Sequence, residues 1–211
     1  MRFGVDEAGK GPVLGSMFAA AVRGPAHELP NGIDDSKRLT PERRETLDRA
    51  IREADGVTVG VAEIPVSRID GAEDMNTLTV AAQAEALSQV VQAGDGGVID
   101  AGDTSTERFA ERVRKRLSVK TELRAEHHAD ESYLLVGAAS IVAKVARDAH
   151  VAALAEQYGD VGSGYPSDPN TRTFLADYVA EHGALPPCAR TSWSTCDDVL
   201  AAAQQSSLGE F

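Results

Sequence analysis

Two adjacent carboxylates open the most chemically informative stretch of the chain, residues 6–12, which reads Asp-Glu-Ala-Gly-Lys-Gly-Pro. The apolar run directly before it predicts a strand that ends at this pair. Successive side chains of a strand point to opposite faces, so Asp6 and Glu7 can serve one site only where the chain leaves extended geometry. Gly9 and Gly11 would permit such a turn, because glycine tolerates positive φ and lets backbone approach a ligand closely.

Two further acids stand at the ends of predicted elements. Asp100 ends a short apolar run that predicts a buried strand, and Asp130 precedes a long apolar segment that predicts a helix. Four carboxylates that converge without fixed basic partners would repel one another and raise their pKa values. A divalent cation relieves that repulsion, and oxygen ligands without a His or Cys cluster favour Mg²⁺ or Mn²⁺ over zinc. Taken singly, each acid could instead cap a helix or carry a solvated charge. Taken together they predict one metal-dependent site, built from Asp6, Glu7, Asp100 and Asp130.

The same stretch also satisfies a competing pattern. Residues 4–10 match the GxxxxGK part of a phosphate-binding P-loop. However, Gly11 takes the place of the required Ser or Thr, and two carboxylates would lie where backbone amides must cradle phosphate. The electrostatics therefore argue against a nucleotide triphosphatase.

Strands mixed with helices must position these acids, which predicts a layered α/β or α+β domain. Three early strands, at 2–5, 15–22 and 57–62, are expected to form a meander. Later strands are predicted at 98–100 and 119–123. Helices are predicted from Thr40-Pro41 onward, at 74–93, at 132–157 and after Asp168-Pro169. No repeat or linker divides the sequence, so we expect one domain over residues 1–200 and a tail over 201–211.

The composition of the chain fits one globular domain of 211 residues, 42% of them apolar. Acidic residues outnumber basic ones 33 to 21 and only five lysines occur, a balance that argues against a nucleic-acid-binding protein. That objection weakens in a very salty cell, because the Debye length is only about 3 Å at 1 M salt. A Lys-poor, acidic surface is what we expect of a halophile.

Neither a secretory leader nor an apolar run near the ~20 residues that span a bilayer occurs in the sequence. We therefore expect a soluble, cytoplasmic protein without a membrane partner, and a monomer. Seven residues separate Cys188 from Cys196, and no metal-binding spacing surrounds them, so free thiols are expected, with a disulfide left open.

The residues also resemble a known family. Residues 6–12 are similar to the N-terminal signature of the type 2 ribonucleases H (ribonuclease HII), in the archaeal form. Further segments resemble the motifs of that family, in family order and across nearly the whole chain: 35–39, 75–78, 99–101, 126–130, 138–148 and 162–166.

This resemblance implies a ribonuclease H-like fold of the α/β class, with a mixed five-stranded sheet flanked by helices and a C-terminal helical region. It implies an endonuclease that cleaves RNA in RNA–DNA hybrids and cuts at ribonucleotides embedded in duplex DNA. Two ions, Mn²⁺ or Mg²⁺, would be held by the four acids, and the products would carry 3′-hydroxyl and 5′-phosphate ends. A nucleotide triphosphatase and a non-catalytic nucleic-acid-binding module remain the alternatives.

Substrate contacts are also implied by the resemblance. Gly9, Lys10 and Gly11 would contact the 2′-OH and nearby phosphates, and Tyr165 would stack on the sugar at the RNA–DNA junction. Many family members have Arg where this chain has Lys10, which replaces a bidentate fork by a point charge. Three further residues resemble phosphate-binding or site-supporting positions: Lys37, Ser140 and Lys144.

The last seven residues resemble a sliding-clamp-binding peptide, with Gln205, Leu208 and Phe211 at the characteristic spacing. One helical turn would bring Leu208 and Phe211 onto one face, where they could enter an apolar pocket of a DNA sliding clamp. The usual second aromatic residue is missing. The alternative is an ordinary disordered tail.

Overall fold

The computed structural model describes residues 1–33 and 39–208, the last three of these by their backbone alone. A five-stranded mixed sheet has the order β3-β2-β1-β4-β5. β1 pairs antiparallel with β2, and β2 with β3, whereas β1 pairs parallel with β4, and β4 with β5. The predicted early meander is therefore confirmed, and β1 is the central strand. The strands are β1 Arg2–Ala8, β2 Met17–Gly24, β3 Thr58–Ile64, β4 Gly96–Asp100 and β5 Glu122–Glu126.

Helices follow most of the predicted periodic segments. Thr40 caps the first helix by accepting a hydrogen bond from the Arg43 amide, with Pro41 at its first position, as the sequence predicts. Short 3₁₀ turns occupy Ala26–Glu28 and Ala129–Glu131. The helices are α1 Pro41–Glu53, α2 Val66–Ile69, α3 Met75–Ser88, α4 Thr106–Arg114, α5 Leu134–Tyr158, α6 Pro169–His182 and α7 Ser194–Leu208. Within the described part of the chain, no helix combines the length and apolar character needed to cross a membrane.

Two compact units share these elements. The first comprises Met1–Lys10, Met17–Ile64 and Asp74–Arg147, and it contains the whole sheet. One sheet face packs against α1 and α5 through a core that includes Ala20, Val22 and Ile141. Helix α3 packs against β1, β2 and β3. Since Ala20 faces α5, its neighbour Ala19 lies on the opposite face.

The second unit comprises Gly11–Ser16, Pro65–Glu73 and Asp148–Phe211. Its core includes Leu14, Phe174, Leu175 and both cysteines. Cys188 and Cys196 are buried and free, so the disulfide that the sequence left open is not formed. Burial raises the pKa of each thiol to about 11.

The structure corrects two element predictions. Helix α3 ends at Ser88 instead of residue 93, because the Gln89 and Val90 amides form tight i to i−3 bonds. Strand β5 lies at 122–126 instead of 119–123, in register with β4. Helix α7 continues past residue 200, where the sequence places the start of a tail. The division into a domain and a tail stays a prediction.

Helix α4 is absent from the sequence predictions. Only Phe109, Ala110 and Val113 are buried in it, and the other residues are mostly charged. Such a short apolar stripe is hard to recognise without the sheet against which it packs.

Candidate active site

The acidic pair lies inside strand β1, which stays extended and paired with β2 as far as Ala8. The prediction that the chain leaves extended geometry at Asp6 and Glu7 is therefore wrong. The turn comes at Gly9, whose φ of +89° is in the region that favours glycine. Because residues 4–8 form a strand, the segment that matches a P-loop is not a phosphate-binding loop.

The two carboxylates instead reach partners on opposite faces of the sheet. Asp6 pairs in register with Ala20 and is hydrogen-bonded to Ser140 of α5. Glu7 pairs with Ala19, and Glu7 Oε2 accepts a 2.6 Å hydrogen bond from Gln83 Nε2 of α3. The two acids thus flank the end of the central strand.

Asp100 joins this pair from the neighbouring parallel strand. The β1–β4 ladder ends with Val5 opposite Ile99, so Asp100 ends β4 level with Asp6. Gln83 Nε2 also donates to the Asp100 carbonyl oxygen at 2.9 Å, which ties Glu7 to the end of β4. Gln83 Oε1 is buried and accepts no hydrogen bond from the residues that the structure describes.

The three carboxylates are close enough to disturb one another. Burial, then repulsion from Glu7 and Asp100, raises the pKa of Asp6 well above its ordinary range. Burial raises the pKa of Glu7 to about 7, and Asp100 adds to this, against the Gln83 hydrogen bond and the Lys10 charge. Ionisation of both acids is therefore unfavourable without a compensating cation.

Asp130 lies at the same end of the sheet because the backbone of its turn is hydrogen-bonded to Asp100. It lies, buried, in the 3₁₀ turn that precedes α5. The preceding residue, Ala129, donates its amide to Asp100 Oδ1 at 2.7 Å. His128 enters this turn with a φ of +56°, a backbone conformation that is uncommon outside glycine.

The described part of the chain does not form a ready-made metal cage. Among the residues that the structure describes, no group of three or more His, Cys, Asp or Glu side chains is arranged to hold a metal ion. The carboxylate oxygens are instead engaged by Gln83, by Ala129 and by the Glu7 amide, which donates to Asp6 Oδ1 at 2.7 Å.

Basic and hydroxyl groups support the carboxylates. Lys10 Nζ donates to Asn76 Oδ1 at 3.1 Å and to the Gly102 carbonyl oxygen at 2.7 Å. On the other side, Lys144 Nζ donates to Ser140 Oγ at 2.8 Å, and Ser140 is the partner of Asp6. Lys144 and Ser140 therefore form a hydrogen-bonded chain that leads to Asp6, whereas Lys10 acts on Glu7.

Gln83 was not predicted as a site residue. The signal that could have revealed it is a polar side chain within an otherwise apolar stretch, since almost every residue from 78 to 87 of α3 is buried. A buried amide in such a helix needs polar partners.

The second unit places Gly11 beside Tyr165. A Cβ atom added to Gly11 would lie 3.7 Å from Tyr165 Cε1. The Gly164 carbonyl oxygen accepts the amides of Val13 and Leu14, at 2.8 and 3.2 Å. The Gly11 carbonyl oxygen accepts from Trp193 Nε1 at 3.3 Å. Tyr165 is 40% exposed.

The remaining predicted residues lie near the C-terminal end of the described chain or outside the described residues. Lys37 and Phe211 are outside the described residues. Gln205 is an exposed residue of α7, and Leu208 is the last residue of that helix.

Comparison with known proteins decides the family. The family model for ribonuclease HII matches residues 3–196. The chain belongs to the ribonuclease HII family. Ribonuclease HII of Haloarcula marismortui is 66% identical over 212 residues, covering 100% of both chains. Ribonuclease HII of Halobacterium salinarum is 62% identical, covering 100% of this chain and 99% of the relative.

Solved structures agree with this ribonuclease HII assignment. Ribonuclease H2 from Pyrococcus horikoshii superposes with a TM-score of 0.88 at 34% identity, covering 96% of this chain and 98% of that one. Ribonuclease HII from Archaeoglobus fulgidus, solved in complex with PCNA, gives 0.82 at 35% identity, covering 94% and 96%. A ribonuclease HIII solved with Mn²⁺ gives 0.79 at 18% identity, covering 97% of this chain and 70% of that one, and this likeness concerns the fold alone.

These findings confirm three predictions: an archaeal ribonuclease HII of halophilic type, a mixed five-stranded sheet flanked by helices, and an endoribonuclease that acts on RNA–DNA hybrids. The nucleotide triphosphatase and the non-catalytic module are thereby set aside.

Proposed function

We propose that this ribonuclease HII cleaves hybrids, and single ribonucleotides embedded in duplex DNA, with divalent cations held by Asp6, Glu7, Asp100 and Asp130. The observation that carries the proposal is the meeting of Asp6, Glu7 and Asp100 at the ends of β1 and β4, where burial and mutual repulsion raise the pKa values of the first two. Buried carboxylates in this arrangement need positive charge to ionise.

The donor set fits Mg²⁺ or Mn²⁺. All its ligand atoms are oxygens, the type that hard cations prefer. A closed protein cage is not required, because Mg²⁺ is commonly held by one or two carboxylates together with water and substrate phosphates. Two such ions would activate an attacking water and stabilise the leaving 3′ oxygen.

The side chains around the acids fix their orientation. Ser140 and the Glu7 amide hold Asp6, while Gln83 holds Glu7 against the end of β4. Lys10 lies near Glu7 and supplies the nearby positive charge that lowers its pKa. These contacts would keep the carboxylate oxygens in place while substrate binds.

Selectivity for ribonucleotides would come from the 2′-OH, the group that distinguishes RNA from DNA locally. Gly9, Lys10 and Gly11 would approach that hydroxyl and its phosphates, and Tyr165 would stack on the junction sugar. The 2′-OH would be recognised and would not attack, so the products would be a 3′-hydroxyl and a 5′-phosphate.

Cleavage of a duplex with one ribonucleotide, at high salt with and without Mn²⁺, tests the proposal. We expect metal-dependent cleavage by the wild type and none by Asp6→Asn. The control is Glu63→Gln, which removes an exposed charge from β3. Near-normal Mn²⁺-dependent cleavage by Asp6→Asn would refute the assignment.

The C-terminal segment supports a second part of the proposal, binding to a DNA sliding clamp. The related Archaeoglobus fulgidus protein was solved in complex with PCNA. Helix α7 ends at Leu208, between Gln205 and Phe211 of the clamp-like spacing. Deletion of residues 205–211 should abolish clamp binding in a calorimetric titration and leave hybrid cleavage intact. Equal clamp affinity after the deletion would remove this part.

A further inference from the structure

One segment of this acidic chain is strongly basic. Residues 108–120 hold six of the 21 Lys and Arg residues and one of the 33 Asp and Glu residues. The segment therefore carries a formal charge of +5, whereas the rest of the chain carries −17. Such a concentration of positive charge along a helix is the electrostatic footprint of nucleic-acid binding.

The cations are arranged as a stripe on helix α4. Arg108, Arg112 and Lys115 follow at spacings of four and three, which places them on one side of the helix. Arg116 follows directly in the turn after the helix. The apolar residues of α4 face inward and are buried, so the stripe lies on the outer side. We call these four cations, Arg108, Arg112, Lys115 and Arg116, the basic stripe.

The stripe begins next to the acidic site. Arg112 Nη2 donates to Thr77 Oγ1 at 2.6 Å, and Thr77 is the neighbour of Asn76, which accepts from Lys10. Arg108 Nη2 lies 2.7 Å from an oxygen of Asp103, which follows Gly102, the other partner of Lys10. The first two cations of the stripe are therefore linked to Lys10 by side-chain contacts and by one peptide bond each.

Internal ion pairs leave the far end of the stripe most available. Asp103 engages Arg108 and approaches Arg112 at 3.9 Å. Lys115 Nζ lies 3.7 Å from Glu111 Oε1, and both side chains are exposed, so this surface ion pair is weak. Arg116 is exposed.

We propose that the basic stripe binds the phosphate backbone of the duplex arm next to the cleavage site. The inference rests on the proposed function and extends it from the scissile position to the arm. From Arg108 to Arg116 the rise is about 12 Å, which corresponds to roughly three or four nucleotides of one strand.

High salt removes the long-range repulsion that an acidic protein exerts on a nucleic acid. At a Debye length of about 3 Å, the repulsion between phosphates and distant carboxylates is screened. A cation that touches a phosphate directly keeps part of its attraction, because the two charges are no farther apart than the Debye length, although each such contact weakens as salt rises. The stripe can therefore hold a duplex that the net charge of the chain would otherwise repel.

Binding of a labelled hybrid in EDTA, without cleavage, tests the stripe. The anisotropy titration uses the full chain and KCl between about 0.1 and 1 M, where the Debye length falls from about 10 to about 3 Å. The variant K115Q/R116Q removes two exposed cations, and R2Q/R49Q is the control, since it removes two exposed cations outside the stripe. Melting temperatures check that every protein is folded at each salt concentration.

For K115Q/R116Q we expect a Kd roughly tenfold weaker at the lowest salt, and a slope of log K against log salt reduced by about 1.8, since each phosphate contact contributes about 0.9. The control should keep the wild-type slope. If K115Q/R116Q matches the control in Kd and slope, the stripe is not a binding surface.

Cleavage with Mn²⁺ is measured in parallel. Stripe-dependent binding without wild-type cleavage would refute the proposed function alone, and cleavage with an unchanged slope would refute the stripe alone.

Discussion

Replacement of Glu7 by Gln should stabilise the metal-free protein above neutral pH. In the folded protein, burial and then the Asp100 charge raise the pKa of Glu7 from its ordinary value of 4.5 to about 7. The folded state thus binds the Glu7 proton more tightly than the unfolded state. The stability that this protonation supplies is fully present below pH 4.5 and is lost as the pH rises through about 7.

The magnitude follows from the pKa shift. At 1.36 kcal/mol per pKa unit, a rise from 4.5 to about 7 corresponds to about 3 kcal/mol. Glu7 is only partly buried by solvent accessibility, so we expect about 2 to 3 kcal/mol. For a chain of this length that is a rise in Tm of about 5 to 10 °C. Gln can still accept the hydrogen bond from Gln83, so the substitution removes charge without leaving that donor unpaired.

Thermal unfolding by circular dichroism at several pH values, in EDTA, measures the effect. The Tm difference between Glu7→Gln and the wild type should be near zero at pH 4 and full at pH 8. Mn²⁺ at pH 8 should raise the Tm of the wild type more than that of the variant. Glu63→Gln, which removes an exposed acid, should stay within about 0.5 kcal/mol of the wild type. A variant no more stable than the wild type at pH 8 would show that Glu7 is not under electrostatic stress.

Two further contacts lead to predictions of their own. Gln83→Leu removes both hydrogen bonds that Gln83 donates, so the Mn²⁺ concentration for half-maximal cleavage should rise by about 10 to 100-fold. Gln89→Leu, at an exposed position just after α3, is the control. An unchanged Mn²⁺ requirement in Gln83→Leu would exclude a positioning role for Gln83. Trp193→Phe keeps an aromatic ring but loses the hydrogen bond to the Gly11 carbonyl oxygen, so KM for a single-ribonucleotide duplex should rise several-fold while the Tm changes by less than that of Trp193→Ala. Trp193 is the one tryptophan of the chain, so a change in fluorescence on substrate binding can be assigned to it. A constant signal would contradict the proposed contact between Gly11 and the substrate.

The sequence predicts local structure correctly where residues close together along the chain decide it. Thr40 and Pro41 predict the start of α1 because capping involves only the next few residues. The apolar runs of the early meander and the apolar stretch of α3 are likewise features of single segments. The motifs in family order were sufficient to identify the ribonuclease HII family.

Features that depend on partners distant in sequence were misjudged or missed. The register of β5 is set by its parallel pairing with β4, which moved the strand by three residues from its predicted position. Helix α4 has few buried residues of its own and becomes recognisable only against its neighbours. The buried amide of Gln83 acquires its role only because α3 crosses the end of β4.

The amino-acid sequence by itself determined which carboxylates are present and that their pattern belongs to a metal-dependent nuclease. The tertiary structure alone decided how Asp6 and Glu7 come to belong to one site. A strand directs successive side chains to opposite faces, and sequence reasoning therefore called for a break in the strand. The folded chain keeps the strand intact and brings Asp100 beside its end through parallel pairing. Repulsion among the three acids therefore arises at the ends of two adjacent inner strands, β1 and β4, and only the pairing of segments distant in sequence brings these ends together.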